Sequence, residues 1–126
     1  MLYICNGFSE SMKRDPNMQA VDYSLTEEEF IRIINSSDYK SVIGHEALAE
    51  CLTKLTGKNI AYNRRGIVLN YDDYCIVTSL NGRLPEHPTY VEYKGRLNYT
   101  FKCFRKQTLA ERMKVEQKIK ALTEGD

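Results

Sequence analysis

Between Ser41 and Gly57 the chain carries the pattern that most restricts its fold. Leu48, Cys51, Leu52 and Leu55 recur at i, i+3, i+4 and i+7, which puts four apolar side chains on one stripe of a helix. The spacing predicts a helix over His45–Thr56, closed by Gly57 in a left-handed cap. A one-sided helix must bury its stripe, and the flanking sequence supplies strands to receive it. Met1-Leu2-Tyr3-Ile4-Cys5 is a short apolar run that stops at Asn6-Gly7, as a buried strand feeding a tight turn would. Met18–Leu25 alternates imperfectly through Met18, Ala20, Tyr23 and Leu25 and predicts a second strand. Ile67-Val68-Leu69 and Tyr74-Cys75-Ile76-Val77 predict two more, joined as a hairpin through Asn70 to Asp73. Leu97, Tyr99, Phe101 and Cys103 alternate along a last strand, Leu97–Phe104, with Lys94-Gly95-Arg96 as the turn before it.

Thr26-Glu27-Glu28-Glu29 is a capping box, in which the threonine oxygen takes the amide of the third helical residue and Glu29 reaches back. The helix it starts runs to about Asn35 with Phe30, Ile33 and Ile34 inward. Ser9–Arg14 reads as a helical turn or loop, and the polar stretch Ser36–Ser41 as a connection. From Lys106 the composition is helical, with Val115, Ile119 and Leu122 in phase, on a stripe that suits the domain or a partner chain. The expected class is therefore α/β (mixed α+β), with a central mixed β-sheet of about five strands flanked by helices and an extra C-terminal helix. Residues 1–104 would form the domain and 105–126 the helical extension.

A chain of 126 residues buries roughly two-thirds of its unfolded surface and needs no staples. The formal net charge of +1 argues against binding long duplex nucleic acid through a broad basic face, and leaves room for a local phosphate pocket. Cys5, Cys51, Cys75 and Cys103 form no C-x-x-C and have only two histidines for company, so no structural zinc or other metal site is expected. Each has apolar neighbours and reads as a small buried hydrophobe. No signal peptide and no membrane-spanning run is evident, which makes the cytoplasm (the host's, for a viral protein) the expected compartment. Walker loop, G-x-G-x-x-G and H-E-x-x-H are all absent, so no cofactor is expected.

Ser41-Val42-Ile43-Gly44-His45 puts His45 at or beside a helix start, where free amides favour anions. An imidazole there can be an acid catalyst beside a phosphate, or simply a capping or surface residue. Asn63-Arg64-Arg65 precedes a strand and Asn81-Gly82-Arg83-Leu84-Pro85-Glu86 follows one. Their arginines are phosphate forks or members of solvated charged loops. Asn6-Gly7-Phe8-Ser9 is a ligand-binding turn or an ordinary polar one, and His87 reads as an exposed loop residue.

Four segments in register, LYICNGFSESM (2–12), SVIGHEALAECLTKLTGKNIAYNRRGIVL (41–69), IVTSLNGRLPE (76–86) and YKGRLNYTFKCF (93–104), resemble the viral ring nuclease family. That family was described first as a small conserved protein of archaeal viruses and then as a type III anti-CRISPR protein. The resemblance implies a homodimer whose central pocket binds a cyclic oligoadenylate, cyclic tetra-adenylate, and cuts it without metal to linear di-adenylate ending in a 2′,3′-cyclic phosphate. It puts the catalytic histidine of I-G-H on His45, an arginine and a glutamate on Arg83 and Glu86, and substrate contacts on Asn6, Ser9 and Arg64. Ser11 and Ser79 stand at binding positions where the family often has asparagine and glutamine. Two other readings stay open: a protein that sequesters the messenger uncut, and a viral module that binds nucleic acid or protein through the basic tail.

Overall fold

The computed structural model describes residues 1–106 and 108–124. Five strands form one sheet: β1 (Leu2–Cys5), β2 (Met18–Leu25), β3 (Tyr39–Ser41), β4 (Tyr74–Leu80) and β5 (Leu97–Lys106), in the spatial order β2-β5-β4-β1-β3. The short apolar β1 lies between β3 and β4 and is parallel to both, with Leu2 opposite Tyr39 and Tyr74. β5 runs antiparallel to β4 and to β2, from Leu25 opposite Tyr99 to Met18 opposite Lys106. The sheet is thus mixed, and the fold is the expected α+β class with a five-stranded sheet.

Helices α1 (Glu27–Ser36), α2 (Glu46–Thr56) and α3 (Tyr90–Lys94) bury their apolar sides with one face of the sheet. Phe30 and Ile34 of α1 and Leu48, Cys51 and Leu52 of α2 pack with Ile4, Ile76, Leu97 and Tyr99. Phe30 stacks on Tyr99 with ring centroids 4.5 Å apart. Gly57 closes α2 at φ +72°, a left-handed conformation that glycine adopts without steric cost. The other face carries Cys5, Cys75, Phe104 and Met18 and is covered by loop chain, chiefly Phe8, Met12, Ile67 and Leu69.

The sequence and the fold part company at four places. Ile67-Val68-Leu69 is not a strand and no hairpin joins it to β4. Leu69 instead plugs the second core, touching Lys13 through one isolated bridge, and its amide donates to the Met12 carbonyl at 2.7 Å. Asp73 accepts the Asn70 amide at 2.9 Å, which turns the chain into β4 from a different direction. Part of the presumed connection Ser36–Ser41 is the edge strand β3, held by its pairing with β1. α3 occupies a stretch to which the sequence reading assigned no element and reaches into the expected turn Lys94-Gly95-Arg96; a second capping box at Thr89 and Glu92 starts it. β5 runs to Lys106, past the expected end at Phe104.

The C-terminal helix α4 (Leu109–Glu124) forms as expected. Its in-phase residues Val115, Ile119 and Leu122 are exposed, so that stripe is not buried on the sheet domain. No described helix is long and apolar enough to cross a membrane.

Candidate functional site

Because β1, β3 and β4 are parallel, their carboxyl ends lie on one edge of the sheet, and the loops that leave them start from that edge. β1 delivers Asn6–Ser11, β3 delivers Val42–His45 and β4 delivers Asn81–Glu86. The start of β5, antiparallel to β4, brings Arg96 to the same edge, since Leu97 faces Leu80.

Two hydrogen-bonded junctions fix this edge. The Asn6 side-chain oxygen accepts the Gly44 amide at 2.9 Å, tying the β1 and β3 loops together. The segment after α2 folds back along β3: Ser41 Oγ donates to Ala61 O at 2.6 Å, Asn63 N donates to Ile43 O at 2.8 Å, and Asn63 Nδ2 donates to Ser41 O at 3.0 Å. Arg64 is thereby laid against Gly44, where a Cβ would come within 3.2 Å of the arginine's Cγ. A residue with a side chain at position 44 would displace Arg64.

His45 is the N-cap of α2, and its Nδ1 accepts the Leu48 amide at 3.3 Å. A nitrogen that accepts carries no hydrogen, so in this arrangement the ring N–H is at Nε2. Nε2 makes no hydrogen bond among the described residues. The ring is exposed and stands at one wall of a groove of about 470 Å³ shared with Leu84, Pro88 and Tyr90. The Cys51 thiol in that groove is pushed up in pKa by burial, so it stays a protonated lining group.

The remaining expected residues are placed as follows. Ser9 and Ser11 hydrogen-bond to each other, Oγ to Oγ at 2.8 Å, in the turn after β1. Ser79 sits exposed on β4 opposite Asn98, two residues beyond Val77, which pairs with Cys5. Arg83 and Glu86 lie on an exposed loop, and neither side chain hydrogen-bonds His45, Asn6 or Arg64 among the described residues. Glu86 instead faces His87 at 3.8 Å, both solvated, and His87 has φ +51°, an uncommon left-handed conformation for a residue with a side chain. The edge therefore gathers Asn6, Gly44 and Arg64 by contact, with His45 the residue after Gly44, and holds Arg83 and Glu86 on the loop whose Leu84 lines the His45 groove.

Arg96 is the residue that sequence reasoning passed over. Its Nη1 donates to the Arg83 carbonyl at 3.2 Å, and its own carbonyl accepts the Asn81 amide at 2.6 Å, clamping the β4 loop from both sides. Gly82, at φ +85°, makes room for that guanidinium. The sequence marks Gly95-Arg96 only as a turn, and its position follows from the antiparallel pairing of β5. Among the described residues there is no group of three His, Cys, Asp or Glu side chains arranged to hold a metal ion.

The family model described as STIV B116-like matches residues 2–94, which span all three loops of this edge. The chain belongs to the STIV B116-like family. A relative within reach of sequence comparison is Uncharacterized protein 26 of Sulfolobus islandicus filamentous virus (isolate Iceland/Hveragerdi), 30% identical over 118 residues, covering 92% of this chain and 100% of the relative. Among solved structures, B116 of Sulfolobus turreted icosahedral virus is similar with a TM-score of 0.69 at 20% identity, over 81% of this chain and 97% of that one. At that identity the likeness is one of fold. Both proteins come from viruses of Sulfolobus, and the family is a small archaeal viral one. Arg96, β5 and α4 lie beyond the matched residues.

Proposed function

We propose that this B116-like protein is a homodimeric ring nuclease that acts in the host cytoplasm and opens cyclic tetra-adenylate, silencing type III CRISPR signalling. The observation that carries the reading is the junction of Asn6, Gly44, His45 and Arg64 on the carboxyl edge of the parallel strands, with Nε2 of His45 left for a ligand. It coincides with the segments whose resemblance to ring nucleases implies the same residues.

In this mechanism the 2′-hydroxyl of one adenosine gives up its proton to solvent water and attacks the adjacent phosphate in line. The bond from phosphorus to the 5′-oxygen breaks, and His45 Nε2 gives its proton to that oxygen. Charging the imidazole requires Nδ1 to release the Leu48 amide, which the substrate phosphate can then take at the helix start. Arg83 steadies the negative phosphate, where electrostatic stabilisation of developing charge is usually a large contribution. Glu86 orients Arg83 or the ribose, while Asn6, Ser9, Ser11, Arg64 and Ser79 hold the ring. Arg96 joins this set by clamping the loop that carries Arg83. The product is linear di-adenylate with a 2′,3′-cyclic phosphate, and two-fold symmetry lets one patch serve both halves of the ring.

The test is single-turnover cleavage of cyclic tetra-adenylate in excess chelator by the wild type and by His45→Asn. Removing the acid is expected to cost roughly 10²–10⁴ in rate while binding survives. Equal cleavage by both proteins would remove His45 from the mechanism. Tight binding without cleavage by either would make the protein a sequestering one.

A further inference from the structure

We propose that Cys5 and Cys75 close into an intramolecular disulfide that ties β1 to β4 beneath the candidate site. Their sulfurs lie 2.8 Å apart, well inside the contact distance of two unbonded sulfurs. Both side chains are buried on the loop-covered face of the sheet, packed among Met18, Val42, Leu69 and Phe104. Tyr3 pairs with Cys75 and Cys5 with Val77, so the two thiols are diagonal neighbours on adjacent parallel strands and lean toward each other. Reaching a bonded separation of about 2.05 Å requires closing the gap by under about 1 Å, within the range of small side-chain and strand adjustments. Cys51 and Cys103 are separate: Cys51 belongs to the helix-side core, and Cys103 Sγ donates to the Val21 carbonyl at 3.8 Å.

The oxidant is a small disulfide. A thiolate of one cysteine attacks it, forming a mixed disulfide and releasing one small thiol. The second cysteine then displaces the other small thiol, leaving the protein disulfide. Two protein thiols and one small disulfide thus become one protein disulfide and two small thiols. In the finished fold, the hydrogen bond with Cys5 and then burial hold the Cys75 thiol far above its ordinary pKa, so it does not supply a thiolate. The exchange therefore belongs to assembly, while β1 and β4 pair and before the Asn6–Arg14 segment covers them. Once formed, the bond closes a long loop across the centre of the sheet. It also anchors the residue directly before Asn6, whose side chain organises the Gly44 turn.

The test is refolding of the full chain with oxidised glutathione, followed by denaturation, alkylation and mass measurement. The expected product is about 2 Da lighter than the fully reduced chain, counting alkylated thiols separately, and has two alkylated cysteines. Tryptic digestion should link peptide 1–13 to peptide 66–83. Adding reductant should lower the unfolding midpoint on the order of 10 °C in the wild type and in Cys51→Ser, and leave Cys75→Ser unmoved. Four alkylated cysteines in the refolded wild type, or a linkage through Cys51 or Cys103, would overturn the proposal. The mass measurement on the wild type decides even if Cys75→Ser fails to fold.

Discussion

The imidazole of His45 has two nitrogens, and α2 occupies one of them. That divides the effects of substitution. His45→Ala removes both the cap and the proposed acid, whereas His45→Asn keeps an oxygen able to accept the Leu48 amide. Thermal unfolding should show His45→Ala destabilised by about 1 kcal/mol and His45→Asn close to the wild type. The two should share the loss of cleavage, and an active His45→Asn would mean the ring acts only as a cap. Tyr99 poses a different problem at the same scale. Its ring stacks on Phe30 in the core, but its hydroxyl is buried without a partner among the described residues, at a site where burial drives its pKa upward. Leaving that hydroxyl unpaired costs about 1–3 kcal/mol, so Tyr99→Phe should raise stability by a fraction of that amount in denaturant unfolding. A drop in stability would mean the hydroxyl has a partner such as a bound water. The helix-start position of His45 was legible in Ser41-Val42-Ile43-Gly44-His45, but the use of its Nδ1 was not, because the pattern gives backbone position and not rotamer. Arg64 against Gly44 was legible only as two separate segments, since their contact depends on the Ala61–Arg64 chain folding back along β3.

Elements with their own local signal were read well. The α2 stripe and the alternation of β5 express periods, and the Thr26 capping box a local motif, that the tertiary structure keeps. The failures are elements whose existence depends on a partner. β3 is three residues of mixed character, too short for alternation, and it exists because β1 offers it a ladder. Ile67-Val68-Leu69 has strand composition, but the second sheet face needs a plug more than the sheet needs another strand. α3 did carry a signal, the T-x-x-E of Thr89-Tyr90-Val91-Glu92, and its five residues hid it. These capping boxes bear on acid stability. Hydrogen bonds from Thr26 hold the Glu29 carboxyl below its ordinary pKa, and those from Thr89 do the same for Glu92. A carboxyl whose pKa is lower folded than unfolded contributes stability above its unfolded pKa and loses it as pH falls through the folded one. The Glu29→Gln, Glu92→Gln double variant keeps an acceptor but no titrating group. Its unfolding midpoint should lie below the wild type near neutrality, and the two should converge as pH falls below the carboxylate range. A gap that stays constant down to pH 2 would assign the difference to cap geometry alone.

The whole molecule was legible as a class, since strand runs interrupted by one-sided helices have few ways to bury their apolar surface. What the sequence could not express is that three strands run parallel, and that alone sends the loops bearing Asn6, His45 and Arg83 to one edge. The edge of one chain offers one His45, while the proposed substrate, cyclic tetra-adenylate, has four equivalent bonds, of which a two-fold dimer would address two on opposite sides of the ring. If two copies share the ring, each contributes one cut, and the cuts become separable in a mixed dimer. Co-expression of wild-type and His45→Asn chains with different tags, purified through both, gives a dimer with a single acid. In single turnover it should open the ring once and accumulate linear tetra-adenylate, whereas the wild-type dimer proceeds to di-adenylate. Chromatography of the labelled products reads the difference directly. Di-adenylate formed by the mixed dimer as completely as by the wild type would mean one His45 serves both bonds by release and rebinding. Sedimentation of the purified protein as a monomer with full activity would mean that the ring is cut without a shared pocket.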